Sequence, residues 1–136
     1  MAKTPPTIEQ YMTRSPHSIG AEQTLARAKT VMHEHGIRHL PVLHGGRLVG
    51  IVTDRDVHLV EALEDVDPLL VTVSDAMSTS VYSVAPETPL AEVANEMAER
   101  KYGSAVVMRG HHVAGIFTTV DACRLLVSLL RGEPPT

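Results

Sequence analysis

The chain has 136 residues, 12 basic and 16 acidic side chains for a formal net charge of −4, and 43% hydrophobic residues. That length suits one compact domain and is too short for two independent ones, while the acidic balance gives no extended positive field to attract a phosphate backbone, so nucleic acid is not expected as a partner. Apolar runs such as residues 48–52 and 69–71 fall far below the roughly 18 residues of a membrane helix; no basic-then-apolar leader opens the chain and its one cysteine, Cys123, cannot form an internal disulfide, so a cytoplasmic protein is expected.

After Pro5 and Pro6, an amphipathic piece over residues 8–12 leads to Pro16, which breaks it before a brief extended stretch at 17–19. From about residue 22 to 35, Leu25, Ala28, Val31 and Met32 follow helical spacing, and Gly36 is placed to supply a left-handed C-terminal cap. Residues 38–43 and 48–53 read as two strands joined by a tight turn at Gly45 and Gly46. Thr53 or Asp54 then caps a helix running to about Leu63, and residues 64–74 form a connection.

The second half repeats the order strand, helix, strand, strand, helix. Residues 82–84 are extended, Thr88 is expected as a cap with Pro89 at the first helical position, and Leu90, Val93, Ala94 and Met97 carry the helical stripe. Strands over 104–108 and 113–118 follow. A last helix bears Ala122, Leu125, Leu126 and Leu129 on one stripe before Gly132 and Pro134 end it.

The two halves superpose without a gap at an offset of 65 residues from Met12/Met77 to Val57/Ala122, with 14 identities that include Gly45/Gly110, Gly50/Gly115, Thr53/Thr118 and Asp56/Asp121. A repeat of this length is one supersecondary unit that cannot bury its apolar face alone. The expected architecture is an α/β, sandwich-like module of two β-α-β-β-α repeats, 8–66 and 73–131, packed with pseudo-twofold symmetry and holding any ligand cleft between them.

The stretches that carry a family resemblance are 50–56 (GIVTDRD), 115–121 (GIFTTVD) and 37–42 (IRHLPV). With these two Gly-x-x-Thr-x-x-Asp copies, the chain resembles the paired cystathionine-β-synthase (CBS) domain, or Bateman module. The resemblance implies a module that binds adenosine-containing ligands (AMP, ADP, ATP, sometimes S-adenosylmethionine) between its repeats, signals to a separate effector protein, and dimerises through its helices.

The residue chemistry is compatible with such a ligand. A carboxylate at a helix start can accept hydrogen bonds from both ribose hydroxyls, which assigns that role to Asp56 and Asp121. Thr53 and Thr118, three residues earlier, can face a phosphate together with free helix N–H groups. Arg38, His39 and Arg55 add charge only in the first repeat, where the second has Gly103, Ser104 and Val120. One site is therefore expected to prefer a phosphorylated ligand and the other to be weak or empty. Ile19, Ile37, Val84 and Tyr102 are placed to build an apolar slot for the base, with aliphatic faces rather than stacked rings, because the chain has three Tyr, one Phe and no Trp.

Other signals point elsewhere less well. His33-Glu34-His35 lacks the spacing of a zinc helix, His111-His112 falls in a turn, and these read as solvated histidines with no metal site. No phosphate-binding Gly-rich loop or nucleophile elbow occurs, Cys123 reads as packing, and no catalytic residue, enzyme activity or required cofactor is expected. The alternatives are a structural or dimerisation module with degenerate clefts, or a binder of S-adenosylmethionine.

Overall fold

The computed structural model describes residues 4–133. In chain order it contains a 3-10 turn (Ile8–Gln10), β1 (Thr13–Arg14), β2 (Ile19–Gly20), α1 (Leu25–His35), β3 (His39–His44), β4 (Arg47–Thr53), α2 (Asp54–Glu61), the single turn α3 (Val73–Ala76), β5 (Ser83–Val84), α4 (Leu90–Arg100), β6 (Ser104–Arg109), β7 (His112–Thr118) and α5 (Thr119–Arg131). The mixed α/β class agrees with the sequence. The chain divides into two compact units, each around its own core cluster.

One unit spans residues 17–81. Its sheet runs β2-β3-β4, with β2 parallel to β3 through the α1 crossover and β3 antiparallel to β4. Gly45 and Gly46 turn the hairpin with φ of +58° and +79°, the pair of positive values that a two-residue hairpin turn compatible with strand twist requires. Thr24 caps α1 by accepting from the Arg27 N–H, and Gly36 closes it at φ +60°, as its position in the sequence predicts. Leu25, Ala28 and Met32 of α1 bury against Leu40, Val42 and Val52 of the sheet, with Val57 and Val73 closing the cluster. α2 stops at Glu61 rather than Leu63, shortly before Asp65 takes a positive φ of 64°.

The other unit comprises residues 4–16 and 82–133. Its sheet runs β1-β7-β6-β5, with β1 antiparallel to β7 (Thr13 opposite Ile116) and β5 parallel to β6. Ile8, Val93, Ala105, Val107 and Phe117 are almost completely buried in its core. Pro89 is the N-cap of α4, not its first helical residue: its ψ of 134° is extended, and no side chain caps the turn. The Leu90 N–H instead donates to the Pro6 carbonyl at 2.8 Å. Of the last helical stripe, Ala122 and Leu125 pack on the core, whereas Leu126 and Leu129 are exposed, as is Cys123, contrary to the packing role expected for it. Gly132 caps α5 at φ +66°; Pro134, the other expected stop, lies outside the described residues.

The compact units therefore cut across the sequence repeats. The segment before Pro16 completes the second-half unit, and residues 71–81 complete the first-half unit through equivalent bonds: Leu25 N–H to Val71 O at 2.8 Å and Ile51 N–H to Ser78 O at 2.9 Å. Each returning segment lays a methionine on a strand glycine. A Cβ on Gly115 would collide with the Met12 sulfur and lie 2.9 Å from the Thr13 carbonyl; on Gly50 it would lie 2.5 Å from the Met77 sulfur and 2.7 Å from the Ser78 carbonyl. Because backbone as well as side chain stands in the way, Gly115→Ala and Gly50→Ala are each expected to destabilise by about 1–3 kcal/mol, the usual cost of overpacking, measured by urea unfolding of the purified protein.

Candidate functional site

Each β-hairpin ends in a threonine that is simultaneously the last strand residue and the N-cap of the following helix. Thr53 Oγ1 accepts from the Asp56 N–H at 3.3 Å, while Asp56 Oδ2 accepts from the Thr53 N–H at 2.9 Å and the Thr53 hydroxyl at 3.1 Å. Thr118 and Asp121 repeat the same three bonds at 2.9, 3.1 and 3.3 Å. This is a capping box in which aspartate takes the place of the longer glutamate. Both threonine hydroxyls, expected to face a phosphate, are thus engaged within the box. Each aspartate's second oxygen, Oδ1, makes no hydrogen bond or ion pair among the described residues, and both carboxylates are only half-buried.

In the unit spanning 17–81, β-pairing sets His39 opposite Thr53, and the Arg38 carbonyl accepts from the Asp54 N–H at 3.0 Å, so Ile37, Arg38, His39, Thr53 and Asp56 fall in one neighbourhood. The Arg38 side chain is extended into solvent, its Nε 3.9 Å from Asp54 Oδ2, at a cleft of about 350 Å³ shared with Lys29, His33 and His58. Arg55 is exposed, whereas His39 and Ile37 are half-buried. Ile19, expected to line a base slot, is only 6% exposed and sits within the core cluster, where packing occupies it.

In the other unit Asp121 lines a cleft of about 260 Å³ with Tyr11, Met12, Thr13, Arg124, Leu125 and Ser128. The hydroxyls of Tyr11, Thr13 and Ser128 and the Arg124 guanidinium were not among the expected site residues. Three of the lining residues come from the N-terminal segment, which the sequence assigns to the opposite repeat. Val84 is half-buried in β5. Tyr102 stacks on Tyr82, with ring centroids 5.0 Å apart and planes inclined by 27°. Their counterparts at the 65-residue offset are His17 and Ile37; His17 stacks instead on His35, at 3.7 Å.

Among the described residues, no three His, Cys, Asp or Glu side chains gather into a metal-holding group, and no helix is long and apolar enough to cross a membrane. The model for the CBS domain matches residues 8–61 and again 73–128. The chain belongs to the CBS-domain family. This CBS pair is 31% identical over 121 residues to hypoxic response protein 1 of Mycobacterium tuberculosis, covering 88% of this chain and 85% of the relative. The crystal structure of that protein, which contains two coordinated zinc ions, superposes with a TM-score of 0.74 over 88% of this chain and 98% of its own, at 30% identity. A protein of acetoin utilization from Vibrio cholerae superposes with a TM-score of 0.85 at 32% identity, covering 94% and 95% of the two chains. The CBS pair of protein MJ0100, solved with 5′-methylthioadenosine and S-adenosylmethionine, shares the fold at 23% identity with a TM-score of 0.83 over 93% and 99%, and so does CBSX2, solved with AMP, at 24% identity and a TM-score of 0.76 over 92% and 98%. The inosine-5′-monophosphate dehydrogenase of Korarchaeum cryptofilum is 35% identical, but the match covers 24% of that enzyme against 89% of this chain. In such relatives the CBS pair is a part of the enzyme.

Tyr82 has its phenol pKa raised above the ordinary value of 10.0, first by burial and then by the negative charges of Glu96 and Glu92 and by Tyr102. A raised folded-state pKa stabilises the fold fully below the unfolded value, near 10, and that contribution disappears as pH rises through the folded value. A spectrophotometric titration is expected to show a late phenol ionisation, and Tyr82→Phe to remove it.

Proposed function

We propose that this CBS pair is a regulatory binding module for an adenine nucleotide of the AMP, ADP or ATP type, held at its strand-to-helix junctions and read by a separate effector protein. The observation that carries the reading is the pair of capping boxes, each leaving one carboxylate oxygen uncommitted at a helix start. A ribose diol is the natural complement of such an oxygen, since charge-assisted hydrogen bonds contribute about 1.5–3 kcal/mol each. Support comes from the cleft that Asp121 shares with three hydroxyl-bearing residues and Arg124, and from related folds solved with AMP or S-adenosylmethionine. The proposed contacts are Asp56 and Asp121 for ribose and Arg38, His39 and Arg55 for phosphate near the first junction. Thr53 and Thr118 hold the carboxylates and helix N-termini in position, while Ile37 serves the base beside the first junction and Val84 and Tyr102 beside the second.

The module works in this reading as a cytoplasmic homodimer, without turnover and without a required cofactor. Its output follows from unequal affinity of the ligand for two conformations, because equal affinity shifts nothing. A second reading has its own observation in its favour: the threonine hydroxyls are fully used inside the boxes, as a purely structural helix cap demands. S-adenosylmethionine is the other candidate ligand.

Thermal denaturation separates these readings. A ligand at about 100 times its dissociation constant adds about 2.7 kcal/mol of stability, so AMP, ADP or ATP is expected to raise the melting temperature. Asp121→Ala and Asp56→Ala are expected to diminish that shift to different extents, because the first junction carries Arg38 and Arg55 and the second has Arg124 alone beside its carboxylate. A melting temperature unmoved by all three nucleotides and by S-adenosylmethionine would leave the boxes as caps and sink the sensor reading.

A further inference from the structure

The connection that leaves α2 is apolar where it meets solvent. Leu59 in α2, Leu63 just past its end, and Leu69 and Leu70 of the following turn are 60, 57, 64 and 83% exposed, and Val66 between them is exposed as well. The turn itself is tied down. The Leu69 N–H donates to Asp67 Oδ1 at 2.9 Å and the Leu70 N–H to the Asp67 carbonyl at 2.8 Å, while the Ala26 and Leu25 N–H groups of α1 donate to the carbonyls of Pro68 and Val71. Val71 and Val73 turn toward the core, and the two leucines are held outward on a fixed backbone. An apolar surface held in water in this way calls for a partner.

Charge identifies that partner. Acidic side chains interleave with the leucines at Glu61, Glu64, Asp65 and Asp67, and no lysine or arginine occurs from residue 56 to 99, a span that holds 10 of the chain's 16 acidic residues. Lys29 of α1 pairs with Glu61, and Asp67 uses one oxygen in its own turn. Glu64 and Asp65 are exposed and make no ion pair or side-chain hydrogen bond among the described residues. The shared architecture does not require this surface. At the 65-residue offset Leu59, Leu63 and Val66 correspond to Arg124, Ser128 and Arg131, and Glu61, Glu64 and Asp65 to Leu126, Leu129 and Leu130, so polarity is inverted position by position. Carboxylates in this density repel an anionic lipid surface and a nucleic-acid backbone alike, which leaves a protein surface that is basic and apolar together. Leu59 and Leu63, four residues apart at the end of α2, match the i and i+4 side chains that a partner helix presents.

We propose that residues 59–70 form the docking surface for a basic amphipathic helix of another protein, the leucines receiving its apolar side and Glu64, Asp65 and Asp67 its lysines or arginines. The inference deepens the effector part of the proposed function and rests on that reading only for what the partner does; docking itself requires no nucleotide.

Calorimetric titration of the full chain, without nucleotide, tests this with two synthetic helical peptides of the same apolar pattern, one of leucine and lysine and the other of leucine and glutamate. The lysine peptide is expected to bind one to one, more weakly as salt is added, and the glutamate peptide not to bind. Leu63→Ser with Leu70→Ser is expected to raise the dissociation constant at least about tenfold, and Glu64→Gln with Asp65→Asn to raise it and flatten its salt dependence. Leu129→Ser, at an exposed leucine of α5 in the stretch that carries Arg131, is expected to change nothing. No binding, equal binding of the two peptides, or an equal effect of Leu129→Ser would each overturn the proposal. Binding to phosphatidylglycerol vesicles that Leu63→Ser with Leu70→Ser abolishes would overturn it too, by making the surface a membrane contact. Circular dichroism shows whether the leucine variant folds, and if it does not, the Glu64→Gln, Asp65→Asn variant and the salt series decide. Nucleotide-induced melting shifts are measured separately, so the docking surface and the sensor reading stand or fall independently.

Discussion

The hydrogen bond from the Leu90 N–H to the Pro6 carbonyl, and its twin from Leu25 to Val71, hold the ends of this architecture together. A helix start leaves N–H groups without intrahelical partners, and burying them unpaired costs about 1–3 kcal/mol apiece. Both helix starts are met by backbone from a segment far away in sequence. Once that segment is in place its methionine fills the space above a strand glycine, Met12 over Gly115 and Met77 over Gly50, and its isoleucine or valine, Ile8 or Val73, enters the core. Hydrogen bonding, packing and the choice of glycine are thus consequences of a single exchange.

The candidate site inherits its rigidity from the same arrangement. β4 and β7 deliver Thr53 and Thr118 directly into helix starts, and each Thr–Asp box fixes a carboxylate rotamer with two hydrogen bonds to one oxygen. The second oxygen is left oriented by a group that does not itself need to move. In the second-half unit the exchanged segment also contributes Tyr11, Met12 and Thr13 to the cleft beside Asp121, so the element that completes the core also furnishes a wall of the cleft.

Local chemistry was the legible part of the sequence. The Gly36 and Gly132 caps, the Gly45-Gly46 turn and the Thr53 cap each depend on a few neighbouring residues, and all take the predicted form. Pro89 was misplaced because its partner, Pro6, is distant. The exchange was hidden by the duplication itself: Met12 and Met77 are the same residue in the same context, so an alignment of halves fits pairing within a repeat and pairing across repeats equally well. Tyr11 and Thr13 escaped notice for that reason. Periodicity found the α5 stripe yet could not divide it, since helical spacing says which residues share a face and not which of two apolar faces is inward.

The crossed segments also bear on how such a chain arises. A solitary repeat folded in this manner would have to borrow its missing strand from another molecule, so its stability would fall on dilution, as for any domain-swapped pair. Joining two repeats through residues 64–70 turns the loan into an internal affair with a high effective concentration. Covalent linkage thereby frees folding from protein abundance, and it lets the two halves differ, Arg55, Glu61 and Asp65 of one standing where Val120, Leu126 and Leu130 stand in the other.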